Sequence, residues 1–162
     1  MSATAYIAVV GAGDPHPDTD AAAFEVGRLL GERGAVLVGG GMTGVMEASC
    51  RGAKAAGGTT VGILPTSDRR HANDYVDVAV ATGLGEMRNA LIVRAVDAVI
   101  AVGGEFGTLS EIALALKIGV PVVGLHTWRL GKESGPVEAI EIAGSPAEAV
   151  ELALRASVSP VD

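Results

Sequence analysis

One cysteine, Cys50, occurs in 162 residues, so no disulfide can form within the chain and a reducing cytoplasm is the expected compartment. Aromatic side chains are nearly as scarce: one Trp, two Tyr and two Phe leave Val, Ile, Leu and Ala to build the core. Positive charge is short as well, with 12 Lys and Arg against 19 Asp and Glu, a formal charge of −7. General nucleic-acid binding needs clustered cations to neutralise phosphates, so this balance argues against it and against a DNA-processing role. It leaves room for one small phosphorylated ligand, held by backbone dipoles and a single arginine. No uninterrupted apolar run approaches the ~18 residues of a membrane span. The opening MSATAYIAVVG has no basic stretch and too short an apolar run for a signal peptide, so a soluble, cytoplasmic protein is expected. No His/Cys/Asp spacing suggests a metal site, and no Gly-Lys-Ser/Thr triplet offers a Walker-type loop.

Glycine is abundant: 23 residues, about twice the usual share of roughly 7%. The glycines cluster at the ends of apolar runs, and so mark turns. Those runs are Tyr6–Val10, Val36–Val38, Thr60–Leu64, Val76–Val80, Ala98–Val102, Val122–Leu125 and a weaker Ala139–Ile142. They are rich in β-branched residues and apolar at successive positions, as strands are when helices cover both faces. Between them lie helical stretches near Asp18–Arg33, Thr43–Ala56, Glu86–Ala95, Thr108–Ile118 and Pro146–Ala156. The order βαβαββαβαββα predicts an α/β fold: one Rossmann-like, doubly wound, mostly parallel sheet of about seven strands with helices on both faces. Residues 1–162 form a single domain in this reading, with no linker, repeat or low-complexity tract.

Helix ends are signposted. Asp18 is the expected cap of the first helix and Gly34 its stop. Ser145-Pro146-Ala147-Glu148 offers a cap, a first-position proline and a capping-box glutamate before the last helix. Two stretches read as irregular, Pro65–Tyr75 and His126–Pro136, both after strands, where ligands of open α/β sheets bind. The first carries the polar residues His71, Asn73 and Asp74, the second Trp128 and Arg129.

Three glycine-bearing turns follow strands. Gly11-Ala12-Gly13-Asp14-Pro15-His16 begins like a dinucleotide fingerprint but has His16, read as a loop residue, where the third glycine belongs. The second strand also lacks the acidic residue that would hold an adenosine ribose, which argues against an NAD-type site. Gly39-Gly40-Gly41-Met42-Thr43-Gly44 has more glycine than a tight turn needs, so close approach of backbone to a ligand is expected there. Met42, Met46 and Met87 flank these turns and are expected to pack.

The third turn carries most information: Gly103-Gly104-Glu105-Phe106-Gly107-Thr108-Leu109-Ser110-Glu111 follows an apolar strand and opens a helix, whose N–H groups and dipole suit an anion. Thr108-Leu109-Ser110-Glu111 also has the pattern of a capping box, which alone would account for both polar residues. Upstream, Gly85-Glu86-Met87-Arg88-Asn89-Ala90 sets Arg88 in the first turn of a helix, against the dipole. A solvated surface charge is the plain explanation. A bidentate anion clamp beside a phosphate-holding loop is the functional one.

Together the turn at 39–44, Arg88 and the run 103–111 resemble the LOG (LONELY GUY) superfamily over nearly the whole chain. The family's Pro-Gly-Gly-x-Gly-Thr-x-x-Glu signature is matched by residues 103–111, with Gly103 for the proline and Glu105 for the second glycine. In its Met-x-x-Arg-Lys signature Arg88 matches the arginine, Asn89 replaces the lysine and Gly85 stands at the methionine. The phrases TGLGEMRNALIVRAVDAVIAVGG and GTLSEIALALKIGVPVVGL look closer to the branch of molybdenum cofactor carrier proteins.

The resemblance implies a phosphate and ribose grip at Gly11, Gly39, Gly40, Gly41, Met42, Thr43, Gly44, Gly103, Gly104, Glu105, Phe106, Gly107 and Thr108. It also implies two rival functions. A carrier would hold molybdenum cofactor or an AMP-like nucleotide without turnover. A phosphoribohydrolase would cleave a nucleoside 5′-monophosphate to base and ribose 5-phosphate, with Arg88 and Glu111 as the catalytic pair. Loss of the lysine removes a cation, and Glu105 adds a nearby negative charge. Glu105 is therefore expected to point away from the phosphate, or to pair with an arginine or a divalent cation. Its backbone should have negative φ, or carry a penalty of ~1 kcal/mol or more. Finally, Glu86–Ala95 and Ile112–Ile118 are apolar on most sides, which predicts a homodimer or dimer of dimers with the site near the seam.

Overall fold

The computed structural model describes residues 3–14 and 16–158; Met1, Ser2, Pro15 and 159–162, the ends of the expected 1–162 domain among them, lie outside the described residues. In chain order the elements are β1 (Tyr6–Gly11), α1 (Pro17–Glu32), β2 (Val36–Gly39), α2 (Val45–Ala55), β3 (Thr59–Leu64) and β4 (Val78–Ala81). They continue with α3 (Asn89–Arg94), β5 (Ala98–Val102), α4 (Phe106–Ile118), β6 (Val122–Leu125), β7 (Leu130–Lys132), β8 (Gly135–Val137), β9 (Glu141–Ile142) and α5 (Pro146–Ser157). Single 3-10 turns occupy Arg69–His71 and Gly85–Arg88. Seven strands form one sheet in the order β4-β3-β2-β1-β5-β6-β9, parallel at every pairing. The expected α/β fold of seven strands, with helices on both faces, is what the chain adopts.

Strand periodicity divides the core. Ile7, Val9, Leu37, Ile100 and Leu125 turn to the face covered by α1, α2 and α5. Their neighbours Ala8, Val10, Val38, Val99 and Ala101 turn to the face covered by α3 and α4. A two-residue period sends successive side chains to opposite faces, so an uninterrupted apolar run serves both layers.

Four local expectations are corrected. Asp18 does not cap α1: His16 stands at the cap, its Nδ1 accepting from Asp18 N–H at 3.4 Å, with Pro17 at the first helical position. The capping box at Thr108–Glu111 does not form, because α4 begins two residues earlier at Phe106 and its cap position, Glu105, makes no side-chain cap bond. The stretch His126–Pro136 is not wholly irregular, since β7 and β8 pair there as an antiparallel hairpin. The helix expected over Glu86–Ala95 is a 3-10 turn followed by the short α3. At the last helix Ser145 accepts from Glu148 N–H at 3.2 Å, as expected of its cap. Gly34 follows α1 at φ +69°.

Candidate functional site

β1 is where strand order reverses: the chain runs outward through β2, β3 and β4, then returns to place β5 on the other side of β1. Loops leaving the carboxyl ends of neighbouring strands diverge at such a point and leave a crevice. A cavity of ≈ 250 Å³ lies at that edge. Its wall is supplied by Gly11 at the end of β1, Ala12 and Gly13 after it, Gly40 after β2, Pro65 after β3, and Glu105, Gly107 and Thr108 after β5. Arg88, Asn89, Glu86 and Glu111 complete the polar lining, with Val9, Val10 and Met46 as apolar floor.

Arg88 is only 8% exposed. Its Nη1 donates to the carbonyls of Gly40, at 2.9 Å, and Ile63, at 2.6 Å, which pins the guanidinium across the ends of β2 and β3. Glycine at position 40 makes this seat possible, because a Cβ there would lie 2.3 Å from Arg88 Nη1 and 2.5 Å from the Met46 sulfur. Arg88 Nε is buried without a partner. Burial lowers the Arg88 pKa from its ordinary value, against the opposing carboxylates of Glu111 and Glu86.

Glu111, also 8% exposed, projects from the second turn of α4 into the same cavity. It makes no ion pair with Arg88; the ion pairs among the described residues lie elsewhere on the surface. Burial pushes its carboxyl up to about 7, and the charge of Arg88 offsets that only in part. At α4 the N–H of Leu109 starts the helical ladder by donating to the Glu105 carbonyl at 2.9 Å. The N–H groups of Phe106, Gly107 and Thr108 thus lack intrahelical acceptors, and the positive end of the helix dipole adds to them.

Seven of the expected site residues meet here: Gly11, Gly40, Arg88, Glu105, Gly107, Thr108 and Glu111. The others stand behind the wall. Gly41 packs on Gly62 and Leu64. Thr43 holds the first turn through a 2.7 Å hydrogen bond from its hydroxyl to the Gly13 carbonyl, and Val45 N–H reaches the Ala12 carbonyl at 3.0 Å. Gly39, Met42 and Gly44 form the same bend without lining the cavity. Gly103 and Gly104 turn the chain at positive φ into α4. Phe106 is 75% exposed, and its ring tilts against Trp128 at 5.6 Å. Glu105 adopts φ −108°, the negative value expected of a non-glycine residue there.

Glu86, Asn89, Met46, Pro65 and Gly13 line the cavity although the sequence did not single them out as ligand-binding. Their signals were nearness to Arg88 in the chain and, for Asn89, its place at the lysine of the family signature. Asn89 is buried and donates to the Ser110 hydroxyl at 3.0 Å, tying α3 to the first turn of α4. Ser110 in turn donates to the Gly107 carbonyl at 2.6 Å. The loop with His71, Asn73 and Asp74 lies outside the cavity wall. Its Asn73 donates from the backbone to Gly41 and from the side chain to Met42, both at 2.8 Å, and so braces the second glycine turn from behind.

The arrangement offers one fixed cation, the free amides of Gly107 and Thr108 and a buried carboxyl around a small hollow. The SLOG cluster4 family model matches residues 4–150. The molybdenum cofactor binding protein from the phototrophic bacterium Rippkaea orientalis superposes with a TM-score of 0.87 at 36% identity, over 98% of this chain and 100% of that one. An uncharacterized protein of Archaeoglobus fulgidus is 44% identical over 152 residues, 94% of this chain and 96% of its own. A cytokinin riboside 5′-monophosphate phosphoribohydrolase of Mycobacterium tuberculosis is 33% identical over 132 residues, 75% of this chain and 71% of its own.

Proposed function

The chain belongs to the SLOG cluster4 family, and from that membership we propose that it is a binding protein for a phosphorylated, heterocycle-bearing small molecule of the molybdenum cofactor or nucleoside monophosphate kind. The single observation that carries this reading is the meeting, in the wall of one cavity, of the buried guanidinium of Arg88 with the amino end of α4. A guanidinium and unpaired amides at a helix start are together the donors that suit an anionic oxygen. At ≈ 250 Å³ the cavity falls below the ~300–1,000 Å³ of common ligand pockets. It fits a phosphate and its adjoining sugar or ring, with the rest of the ligand lying over the rim. The likeness to the Rippkaea orientalis protein over both full lengths supports cargo binding.

A second reading is favoured by Glu111. A carboxyl held near neutrality by burial, beside an arginine, suits a general acid or base. In a phosphoribohydrolase it would bind the ribose hydroxyls and assist water at the anomeric carbon, while Arg88 orients the substrate. The two readings part in one experiment. Protein is incubated with AMP and assayed for free adenine and ribose 5-phosphate, and protein as purified is assayed for molybdenum and pterin fluorescence. Retained pterin without adenine release supports the carrier; release abolished by Glu111→Gln supports the hydrolase. A cytoplasmic location and a homodimer closing around the site belong to the same proposal.

A further inference from the structure

The two sets of donors in the cavity wall are fixed by different parts of the sheet. Arg88 is tied to the carbonyls of Gly40 and Ile63, across the ends of β2 and β3. The amides of Gly107 and Thr108 belong instead to the first turn of α4, after β5. That turn is loosely held by its own residues. Gly103 and Gly104 lead into it at φ +57° and +105°, and Glu105 makes no side-chain cap bond.

Its outside support comes from the chain that follows β6. His126 is the one residue other than glycine at positive φ among those described, at +53°, a conformation that L side chains rarely adopt. The next two side chains both reach the turn after β5. The Thr127 hydroxyl donates to the Gly103 carbonyl. Trp128 Nε1 donates at 3.3 Å to the Glu105 carbonyl, which also receives Leu109 N–H at 2.9 Å and so starts the helical ladder. The indole meets the Phe106 ring as well, with centroids 5.6 Å apart and planes tilted by 42°. Trp128 itself packs on the core cluster that contains Ile112 of α4 and Val122 of β6, which gives its N–H a firm base. Glycine at 124 leaves room for this, because a Cβ there would lie 2.8 Å from Thr127 Cγ2 and from Ile140 Cγ2.

Resting on the anion-site reading above, we propose that Trp128 is a positioning residue: with Thr127 it sets where the Gly107 and Thr108 amides stand relative to Arg88, and through them the affinity for the ligand's anionic group. An N–H donor serves an oxyanion over a narrow range, roughly 2.7–3.2 Å between heavy atoms. A small drift in the start of α4 takes the amides out of that range, while Arg88 stays fixed to β2 and β3. The donors then no longer converge on one anion. Trp128 acts without touching that anion, since it lies outside the cavity wall.

The test uses the full chain, with inorganic phosphate and AMP as probes read by calorimetry. Trp128→Phe keeps an aromatic ring beside Phe106 and removes the N–H. Thr127→Val keeps the methyl over Gly124 and removes the hydroxyl. Each is expected to weaken phosphate and AMP by the same factor, about three- to tenfold, the scale of one lost hydrogen bond. Thr127→Ser, which restores the hydroxyl, should bind both probes as the parent does. Should Trp128→Phe lose its fold by circular dichroism, the Thr127 pair decides. Affinity lost for AMP alone would mean that Trp128 meets the heterocycle, and overturns the positioning role. Unchanged affinity for both probes, whatever the melting temperature does, overturns it too, as does a Thr127→Ser as weak as Thr127→Val. A parent that binds neither probe overturns the anion site itself, and this role with it.

Discussion

Burying a permanent charge such as Arg88 costs solvation energy, offset here by two backbone carbonyls and by the field of Glu111 and Glu86. Arg88→Ala is expected to weaken binding of AMP or phosphate by ~1.5–3 kcal/mol, the scale of a charge-assisted hydrogen bond, read by calorimetry. Gly40→Ala should act on the same quantity without touching the charge, because its methyl would occupy the space of Nη1. Unchanged affinity in that variant would remove the seat described for Arg88. Glu111 makes a prediction about stability. Its folded pKa of about 7 lies above the ~4.3 of an unfolded glutamate, so the folded state holds a proton that the unfolded state releases between these values. Stability contributed by this group is therefore present below pH ~4 and declines as pH rises toward 7. Glu111→Gln should be more stable than the parent at pH 8, by on the order of 2 kcal/mol, with the difference vanishing near pH 4 in urea titrations. A constant difference across that range would place Glu111 in a better-solvated setting than its burial indicates.

At the scale of elements, α1 and α2 cross at almost backbone contact. Gly27 lies against the carbonyl of Ser49, and Gly52 against that of Phe24; a Cβ at either position would come within 1.9 Å of oxygen. Gly27→Ala is accordingly expected to destabilise by ~1–3 kcal/mol in thermal or urea unfolding, although alanine is the better helix former by ~1 kcal/mol. A gain in stability would mean that the helices can part at little cost. These two glycines passed unnoticed in the sequence because nothing local asks for them; the demand comes from the other helix. The central strands were legible for the opposite reason, since burial on both faces writes itself into every residue of Ile7–Val10 and Ala98–Val102. The hairpin β7–β8 was hidden by Gly131, Gly135 and Pro136, residues that argue against a strand locally. His16 was missed as a cap because imidazole is rarely the acceptor there, Ser, Thr, Asp and Asn being preferred. At the candidate site, Arg88 was readable from its setting against a helix dipole and Glu111 only through the family signature it completes, whereas Gly39, Gly41 and Gly44 were not separable from Gly40. Which glycine of a run meets the cavity depends on how α2 and the loop around Asn73 brace the bend.

The two faces of the whole molecule are unequally covered. Three helices, α1, α2 and α5, roof one side of the sheet, and only α4 and the six-residue α3 lie on the other. Leu84, Met87, Leu91 and Phe106 are exposed beside that thinner cover, Met87 at 76%. Met87 stands between Glu86 and Arg88, and Phe106 between Glu105 and Gly107, so these exposed apolar side chains alternate in sequence with the cavity wall. Side chains of this size rarely gather on the surface of a monomer without a partner. A second copy pairing through this patch would remove it from water and at the same time roof the cavity mouth, which raises the strength of every charge interaction inside. Met87→Glu/Leu91→Glu should therefore yield a monomer by light scattering while the parent runs as a dimer or larger. Far-ultraviolet circular dichroism should be retained, because both side chains lie outside the core. Ligand affinity should fall in step with dissociation, since the mouth is then open to solvent. A variant that is monomeric yet binds AMP as tightly as the parent would separate assembly from the site, and a parent that is itself monomeric would leave the patch to some other partner.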